Sequence, residues 1–486
     1  MRAHIKSRAS LARRHGDALL WATPMKTPSA ALLLLLFAAP FAAGQTPVPA
    51  QTSAAGPELP ATAASYRHYA AETEAMLHHD VLDVWYPRTV DTENGGFYAD
   101  FDRQWHRLPS HGKFSVFEGR MTWTAANAIT RRPALRAQYL PFVDHGVKYL
   151  ENTMWDKQYG GFYWGLADDG TVSPQFGDGK HMYGISFCIY ALAAAYRVTH
   201  DPATLALAQK AFRWNEDHAH DATNGGYYEW LTREGKPMLV PPYTPTAVFL
   251  HGADSPVGYK SMNTHIHLLE AYTELYSVWK DDRLKQRTAE LLSIVRDKIV
   301  VQPGAMNLYF TAAWQPVPDH DSYGHDVETT YLLDEAADTL GHGFRDQPTD
   351  DRTRQTGRLL VDHALAYGWD ADKGGLFHSG AFVGKPDDLL KEWWVQMESL
   401  NALLLLHQRY GRETDVYWKA FQQQWAWIRQ YQVDPEFGGE YNLVKPDGQP
   451  VSPIKGSMWK GAYHESRALL NVTDRLNAMA AAAGSR

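Results

Sequence analysis

Cysteine is nearly absent from this chain: Cys188 stands alone among 486 residues, so no intrachain disulfide can form and stability must come from the size of the buried core. Positive charge is scarce as well. Residues 1–44 carry six Lys or Arg and one Asp, and the remainder holds 41 basic against 54 acidic residues, a formal charge of −13. That excess of carboxylates argues against nucleic acid and anionic membrane surfaces as partners. A stable membrane span is not expected either. The apolar run Ala30 to Phe37 follows Lys26 and precedes the small residues Ala39-Pro40-Phe41-Ala42-Ala43-Gly44, the layout of a secretory signal peptide and too short to cross a bilayer. A membrane anchor is the alternative reading of that run. No cysteine stands in the small-residue zone after it, which argues against lipidation. Met25-Lys26 makes a better start for such a signal than 24 further residues containing Asp17. The expected organisation is a signal peptide over 1–44, a linker rich in Pro, Ala, Thr and Ser over 45–64, one catalytic domain over 65–479 and a tail over 480–486, with a secreted or periplasmic location.

What the chain does have is a repeated glycine pair. It occurs at Gly95-Gly96, Gly160-Gly161, Gly225-Gly226, Gly374-Gly375 and Gly438-Gly439, each followed by an aromatic or other bulky residue within two positions. Two intervals are 65 residues and one is 64, while the interval of 149 hides a degenerate copy at Pro303-Gly304-Ala305-Met306-Asn307-Leu308-Tyr309. Six copies of a unit too small to fold alone must stack or close on a shared core. Before each pair lies a charged amphipathic segment, at 66–86, 134–154, 202–219, 281–299, 353–367 and 414–431. After each lies a more apolar one, at 112–130, 181–198, 262–279, 323–339, 391–409 and 459–476. The pattern predicts an all-α (α/α)6 toroid of six helical hairpins, with outer helices first and buried inner helices second. The glycine pairs themselves are turns needing positive φ and carry no chemistry.

Chemistry-bearing residues gather early in the inner segments. At 100° per residue, Asn263, His267 and Glu270 share one helix face and His265 points away, so His265 and His267 diverge, unlike the i, i+4 pair of a helical zinc site. A self-satisfied polar network in the core is the bland alternative. His325 and Glu328 stand at i, i+3, where a carboxylate would orient the imidazole and raise its pKa. Trp393-Trp394 with Glu398, Arg120 in an apolar run, and His464 near the start of the last inner helix complete the set. Each alone has an ordinary structural explanation. Together, Arg120, His267, His325, Trp394 and His464 fall early in five of six parallel helices and should meet at one end of a central cavity. Among the 17 Trp, 26 Tyr and 18 Phe, those on inner helices could also wall a sugar site.

These motifs resemble the N-acylglucosamine 2-epimerase superfamily, most of all its cellobiose or mannobiose 2-epimerase branch. The resemblance rests on Asn-Thr-His-Ile-His-Leu-Leu-Glu-Ala-Tyr from 263, Ser-Tyr-Gly-His-Asp-Val-Glu from 322, Glu-Trp-Trp-Val-Gln-Met-Glu from 392 and Trp-Lys-Gly-Ala-Tyr-His from 459, in order and across nearly the whole domain. It implies His325 and His464 as acid and base, Glu328 as partner of the first, His267 and Asn263 near the reacting carbons, and Arg120 beside the developing oxyanion. Tyr183, Asn263, Glu270, Trp394, Glu398 and Trp459 would contact the sugar. The chain departs from the family at Tyr331, where tryptophan is frequent, at Gly461-Ala462, where a proline is common, and in residues 237–260, which read as an insertion beside the site.

The reaction implied is inversion at C2 of a reducing-end sugar through a cis-enediolate, on cellobiose or mannobiose, by a monomer or homodimer. Proton transfer of this kind calls for no metal, nucleotide or nicotinamide. Return of the proton to C1 would instead make an aldose–ketose isomerase, and an N-acylhexosamine could replace the disaccharide. A rival of another class is an inverting glycoside hydrolase built on Glu270, Glu328 and Glu398. Against it, each acid sits helically beside a histidine or tryptophan. A non-catalytic sugar-binding protein would have no use for three site histidines.

Overall fold

In the computed structural model the described residues are 58–239, 255–341, 348–452 and 454–484. The expected signal peptide, residues 45–57 of the expected linker and the middle of the 237–260 insertion lie outside them. Twelve long helices alternate between two layers: α1 (Ala63–Met76), α2 (Ser115–Arg131), α3 (Arg136–Tyr149), α4 (Met182–Thr199), α5 (Pro202–His218), α6 (Met262–Val278), α7 (Asp282–Ile294), α8 (Tyr323–Thr339), α9 (Pro348–Tyr367), α10 (Trp393–Tyr410), α11 (Val416–Trp427) and α12 (Tyr463–Gly484). Even-numbered helices pack side by side in a closed inner ring, with α12 against α2. Each outer helix lies on the inner helix before it in the chain, and α1 lies on α12, so the (α/α)6 toroid is closed by pairing the two ends of the chain. An inner helix therefore meets neighbours on three sides. That is why α4 carries an apolar, Ala-rich sequence with no acid and one base, and is buried from Met182 to Ala195.

Local signals account for the helix starts. Asp201 accepts hydrogen bonds from the Ala203 and Thr204 amides ahead of Pro202 at N1, Asp281 caps α7 in the same way, and Ser261 caps α6 through the Thr264 amide. Four outer helices end in a π-helical turn, at Leu77–Leu82, Leu150–Met154, Val295–Ile299 and Ile428–Gln432, a repeat of geometry that residue periodicity does not announce. The last inner helix starts at Tyr463, four residues later than expected, because Ser457, Trp459 and Lys460 form a turn closed by the Ser457 hydroxyl. Two expected boundaries move. Thr62 caps α1, and Leu59 is held by Gln422 and Trp418 at 2.7 and 2.8 Å, so residues 58–64 dock on the domain. At the other end α12 runs on through the expected tail to Gly484.

The glycine pairs make the turns between layers. All ten glycines have φ between 66° and 90°, the left-handed region closed to most other residues. Each pair sits in a short hairpin such as Val90 with Phe97 or Trp155 with Phe162. An aspartate four residues before the pair accepts the amides of the turn and also binds a buried lysine. These ion pairs are Asp91–Lys113, Asp156–Lys180, Asp221–Lys260, Asp370–Lys391 and Asp434–Lys455, with N–O distances of 2.8, 3.0, 2.8, 2.7 and 2.9 Å. Four of the lysines stand two residues before an inner helix, in strands that pair with the next repeat: Lys113–Phe114 with Gly165–Leu166, Lys180–His181 with Trp230–Leu231, Lys260–Ser261 with Tyr309–Phe310, and Lys391–Glu392 with Leu443–Val444. A bridge from Phe101 to Gly456 joins last to first. The ladder fixes where each inner helix begins, and so where its first two turns point.

Candidate active site

A cavity of about 340 Å³ opens at the N-terminal ends of the inner helices. Arg120, His267, His325, Trp394 and His464 all line it, as the helix positions predicted, together with Tyr183, Asn263, Glu328 and Trp459. The inner helices turn the positive ends of their dipoles toward the same space, a field suited to an oxyanion. Glu270 and Glu398, expected among the sugar contacts, do not line the cavity. They lie behind the histidines, where both carboxylates are engaged by side chains of α12.

Each of the three histidines is held by Nδ1. His464 Nδ1 is 2.6 Å from Glu398 Oε1, His267 Nδ1 is 2.9 Å from Glu270 Oε2, and His325 Nδ1 is 2.7 Å from Ser322 Oγ. None of the three Nε2 atoms has a hydrogen-bond partner among the described residues. When ionised, each carboxylate only accepts, and it then sets His464 and His267 as Nδ1–H tautomers with the Nε2 lone pair outward. The Ser322 hydroxyl can donate, and His325 is then free to carry its proton on Nε2. The expected His325–Glu328 partnership is corrected here. Glu328 bonds to Arg467, and the i, i+3 spacing leaves its charge near the imidazole without a hydrogen bond. The expected rise in pKa is reversed as well. Burial holds His325 at about 3, with Glu328 opposing, and burial together with Arg120 and Arg467 holds His464 well below its ordinary value. Both rings are therefore neutral near pH 7. His325 and His464 pack on the Trp394 indole, with centroids 4.8 and 5.6 Å away. Gly324 makes room for that indole: a Cβ there would stand 2.5 Å from the ring.

Beneath the cavity lies Arg467, a residue that reading helix faces one at a time gave no role. Its guanidinium binds Glu270, Glu328 and Glu398, which come from three different helices, and the Tyr463 hydroxyl. Burial alone would raise all three acids. Arg467 outweighs it at Glu270, which is held at about 2 with help from His267 and Tyr463, and at Glu328, which is lowered. At Glu398 burial prevails and the carboxyl rises to about 8, although Arg467 and Tyr331 favour its ionised form. Tyr331, the departure from the family pattern, donates to Glu398 Oε2 at 2.5 Å. Glu328, Glu398 and His464 are close enough to hold a metal ion, but the guanidinium already supplies the positive charge among these acids.

Arg120 is 4 % exposed and donates to the Trp459 carbonyl at 3.1 Å and the Tyr183 hydroxyl at 2.9 Å, while its Nε–H finds no acceptor among the described residues. Also lining the cavity are residues to which the sequence assigned no role: Tyr309, His320, His378 and Glu392. Glu392 accepts from Trp394 Nε1 at 2.7 Å and pairs with His378 at 3.2 Å, raising the His378 pKa. Its place beside the Trp-Trp pair was the available signal. His265 turns outward as predicted, to Ser261 and the Tyr227 amide.

The sequence profile of the N-acylglucosamine 2-epimerase family matches residues 96–468. The chain belongs to that family. Its relatives include the cellobiose 2-epimerase of Bacteroides fragilis, 30 % identical over 401 residues, with 82 % of this chain and 96 % of that protein covered. The cellobiose 2-epimerase of Ruminococcus albus is 30 % identical over 418 residues, covering 83 % and 98 %. Among solved structures, cellobiose 2-epimerase from Spirochaeta thermophila matches this family member with a TM-score of 0.74 at 30 % identity, covering 85 % of this chain and 98 % of that one. A family 76 glycoside hydrolase shares the fold alone, at a TM-score of 0.53 and 10 % identity.

Proposed function

We propose that this protein inverts C2 at the reducing end of a β-1,4-linked disaccharide, cellobiose or mannobiose. Relatives named cellobiose 2-epimerase, aligned over nearly their whole length, support the substrate class. The observation that carries the chemistry is the unlike bonding of two neutral histidines that line the cavity. Glu398 turns the lone pair of His464 Nε2 outward as a base, and Ser322 lets His325 present Nε2–H as an acid. In the open-chain sugar the C2 hydrogen is α to the aldehyde. His464 takes it as a proton, leaving a cis-enediolate whose charge falls to the Arg120 guanidinium, to His267 and to the helix dipoles. His325 returns its Nε2 proton to the far side of C2, the Ser322 hydroxyl passes its proton to Nδ1 and takes a replacement from solvent in the cavity, and the proton held by His464 leaves to solvent, so His325 and Ser322 stay neutral. Glu398 stabilises the imidazolium formed at His464. Asn263, Tyr183, Trp394 and Trp459 position the sugar. The opposite epimer runs the steps in reverse. The apolar run after Lys26 supports export of the protein, so that its substrate would come from polysaccharide breakdown.

Incubation with cellobiose or mannobiose in D2O, with EDTA, followed by NMR, tests this. The C2 epimer should appear with deuterium at C2. His464→Asn and His325→Asn should each lower kcat by about 10²- to 10⁴-fold. A ketose product would make it an isomerase, and release of monosaccharides would overturn the histidine mechanism.

A further inference from the structure

Five of the six junctions between outer and inner layers hold a buried aspartate against a lysine ammonium. The fourth, at Gly304, breaks the rule on both sides. Val300 stands four residues before the glycine, where an aspartate belongs, and Asp321 stands two residues before α8, where the lysine belongs. The ammonium is gone and a second negative charge has arrived. Asp321 is joined by Asp326 from the first turn of α8 and His363 from α9, all three side chains fully buried and their ligand atoms within 4.8 Å of one another.

The imidazole is aimed at the acids. His363 Nε2 lies 2.7 Å from the Phe382 carbonyl, which can only accept, so Nε2 carries the proton and in the neutral ring the Nδ1 lone pair faces the carboxylates. Nδ1 is 3.2 Å from Asp326 Oδ2 and 3.5 Å from Asp321 Oδ2. Asp321 Oδ2 and Asp326 Oδ1 are buried without a hydrogen-bond donor among the described residues, short of a proton shared between the acids. The Met306 amide meanwhile fixes Asp321 Oδ1 at 3.3 Å. Outer bonds of this kind, carbonyl to imidazole and amide to carboxylate, orient metal ligands. Zinc bonds of about 2.0–2.2 Å set tetrahedral ligands roughly 3.3–3.5 Å apart, and the two imidazole–carboxylate distances, 3.2 and 3.5 Å, are close to that. Two carboxylates and one neutral imidazole would balance a divalent cation in charge, as each lysine balances its aspartate in the sister junctions.

We propose that Asp321, Asp326 and His363 form a buried divalent-cation site of the Zn²⁺ type, which replaces the lysine ammonium of the other junctions. The ion ties the entry of α8, and with it Ser322 and His325, to the outer helix α9. None of its three ligands lines the cavity, and its effect is structural.

The test uses the full chain, stripped with chelator, dialysed against Zn²⁺ and assayed for bound metal by mass spectrometry. One zinc per chain should be retained, with a rise in Tm of roughly 5 °C. Retention should be lost in Asp326→Asn and in His363→Gln but kept in Glu398→Gln, because the acids below the cavity are the competing site. Bound Co²⁺ should give the visible spectrum of a nitrogen- and oxygen-ligated ion. Failure of the wild-type chain to retain zinc overturns the proposal whatever the variants do, since the trio must then be held by protons. Zinc lost in Glu398→Gln and kept in Asp326→Asn would overturn it equally.

Discussion

Two systems of buried charge share this molecule and differ in their arithmetic. At five layer junctions each aspartate meets its own lysine, joined by Arg233 at Asp156 and by Arg103 at Asp434, and the turn amides complete the carboxylate. Beneath the cavity one guanidinium serves three carboxylates. The balanced pairs hold their protons fixed: at Asp91, burial alone would raise the pKa, but the turn amides and Lys113 keep it well below the usual range. The shared arginine leaves its acids unequal, with Glu270 at about 2 and Glu398 at about 8. A full set of partners makes scaffold. An incomplete one leaves a carboxyl that can respond to the histidine in front of it.

The hardest blow to that contrast is Arg467→Met. Three buried acids lose their cation, and epimerase activity should vanish with a loss of stability of roughly 3–5 kcal/mol, read by calorimetry beside the D2O assay. Glu398→Gln should strike activity but spare most of the fold, because the amide can donate to His464 Nδ1 and so select the wrong tautomer. A fall in kcat of about 10²- to 10⁴-fold is expected, with Tm much less affected. Lys113→Met is the converse. It should cost roughly 3–5 kcal/mol by leaving Asp91 uncompensated, while turnover per folded molecule is retained. The smallest effect is one of pH. Since burial raises Glu398, the ionised form that sets the base at His464 gains population as pH rises, and kcat/KM should climb through about 8. For the fold the sign at Asp91 is opposite to that at Glu398. A depressed carboxyl stabilises above its unfolded pKa and is lost only as pH falls through the folded one, so acid should silence the enzyme well before it unfolds it. Coincident loss of activity and Tm would erase the distinction.

Much of the architecture was legible because its signals are local. Glycine spacing marked the turns, and residue period located α8 at 323–339 and α5 to within one residue. The convergence of Arg120, His267, His325, Trp394 and His464 followed from their shared position early in parallel helices. What escaped depends on contacts between helices. Glu398 serves His464 from another segment, Ser322 displaces Glu328 at His325, and Arg467 collects acids 139 and 197 residues away in sequence. The direction of the histidine pKa shifts escaped for the same reason, since burial outweighs a nearby carboxylate and spacing does not report burial. The aspartates of the ladder were in plain view, each four residues before its glycine pair, but their lysines follow at unequal distances, and the ladder went unread because a lysine before an apolar helix looks like a solvated end.

The pairing of α1 with α12 gives the ring a clasp. In an open stack of repeats the terminal units fray and need polar caps, and a lost unit shortens the array. Here the sixth hairpin is assembled from residues some 400 positions apart, with the Thr73 and Thr473 hydroxyls 2.7 Å from each other. No repeat is terminal, and the wheel cannot shed a spoke and remain a wheel. His464 rides on the clasp itself, so the base proposed for the proton transfer is in place only once the whole circle has shut.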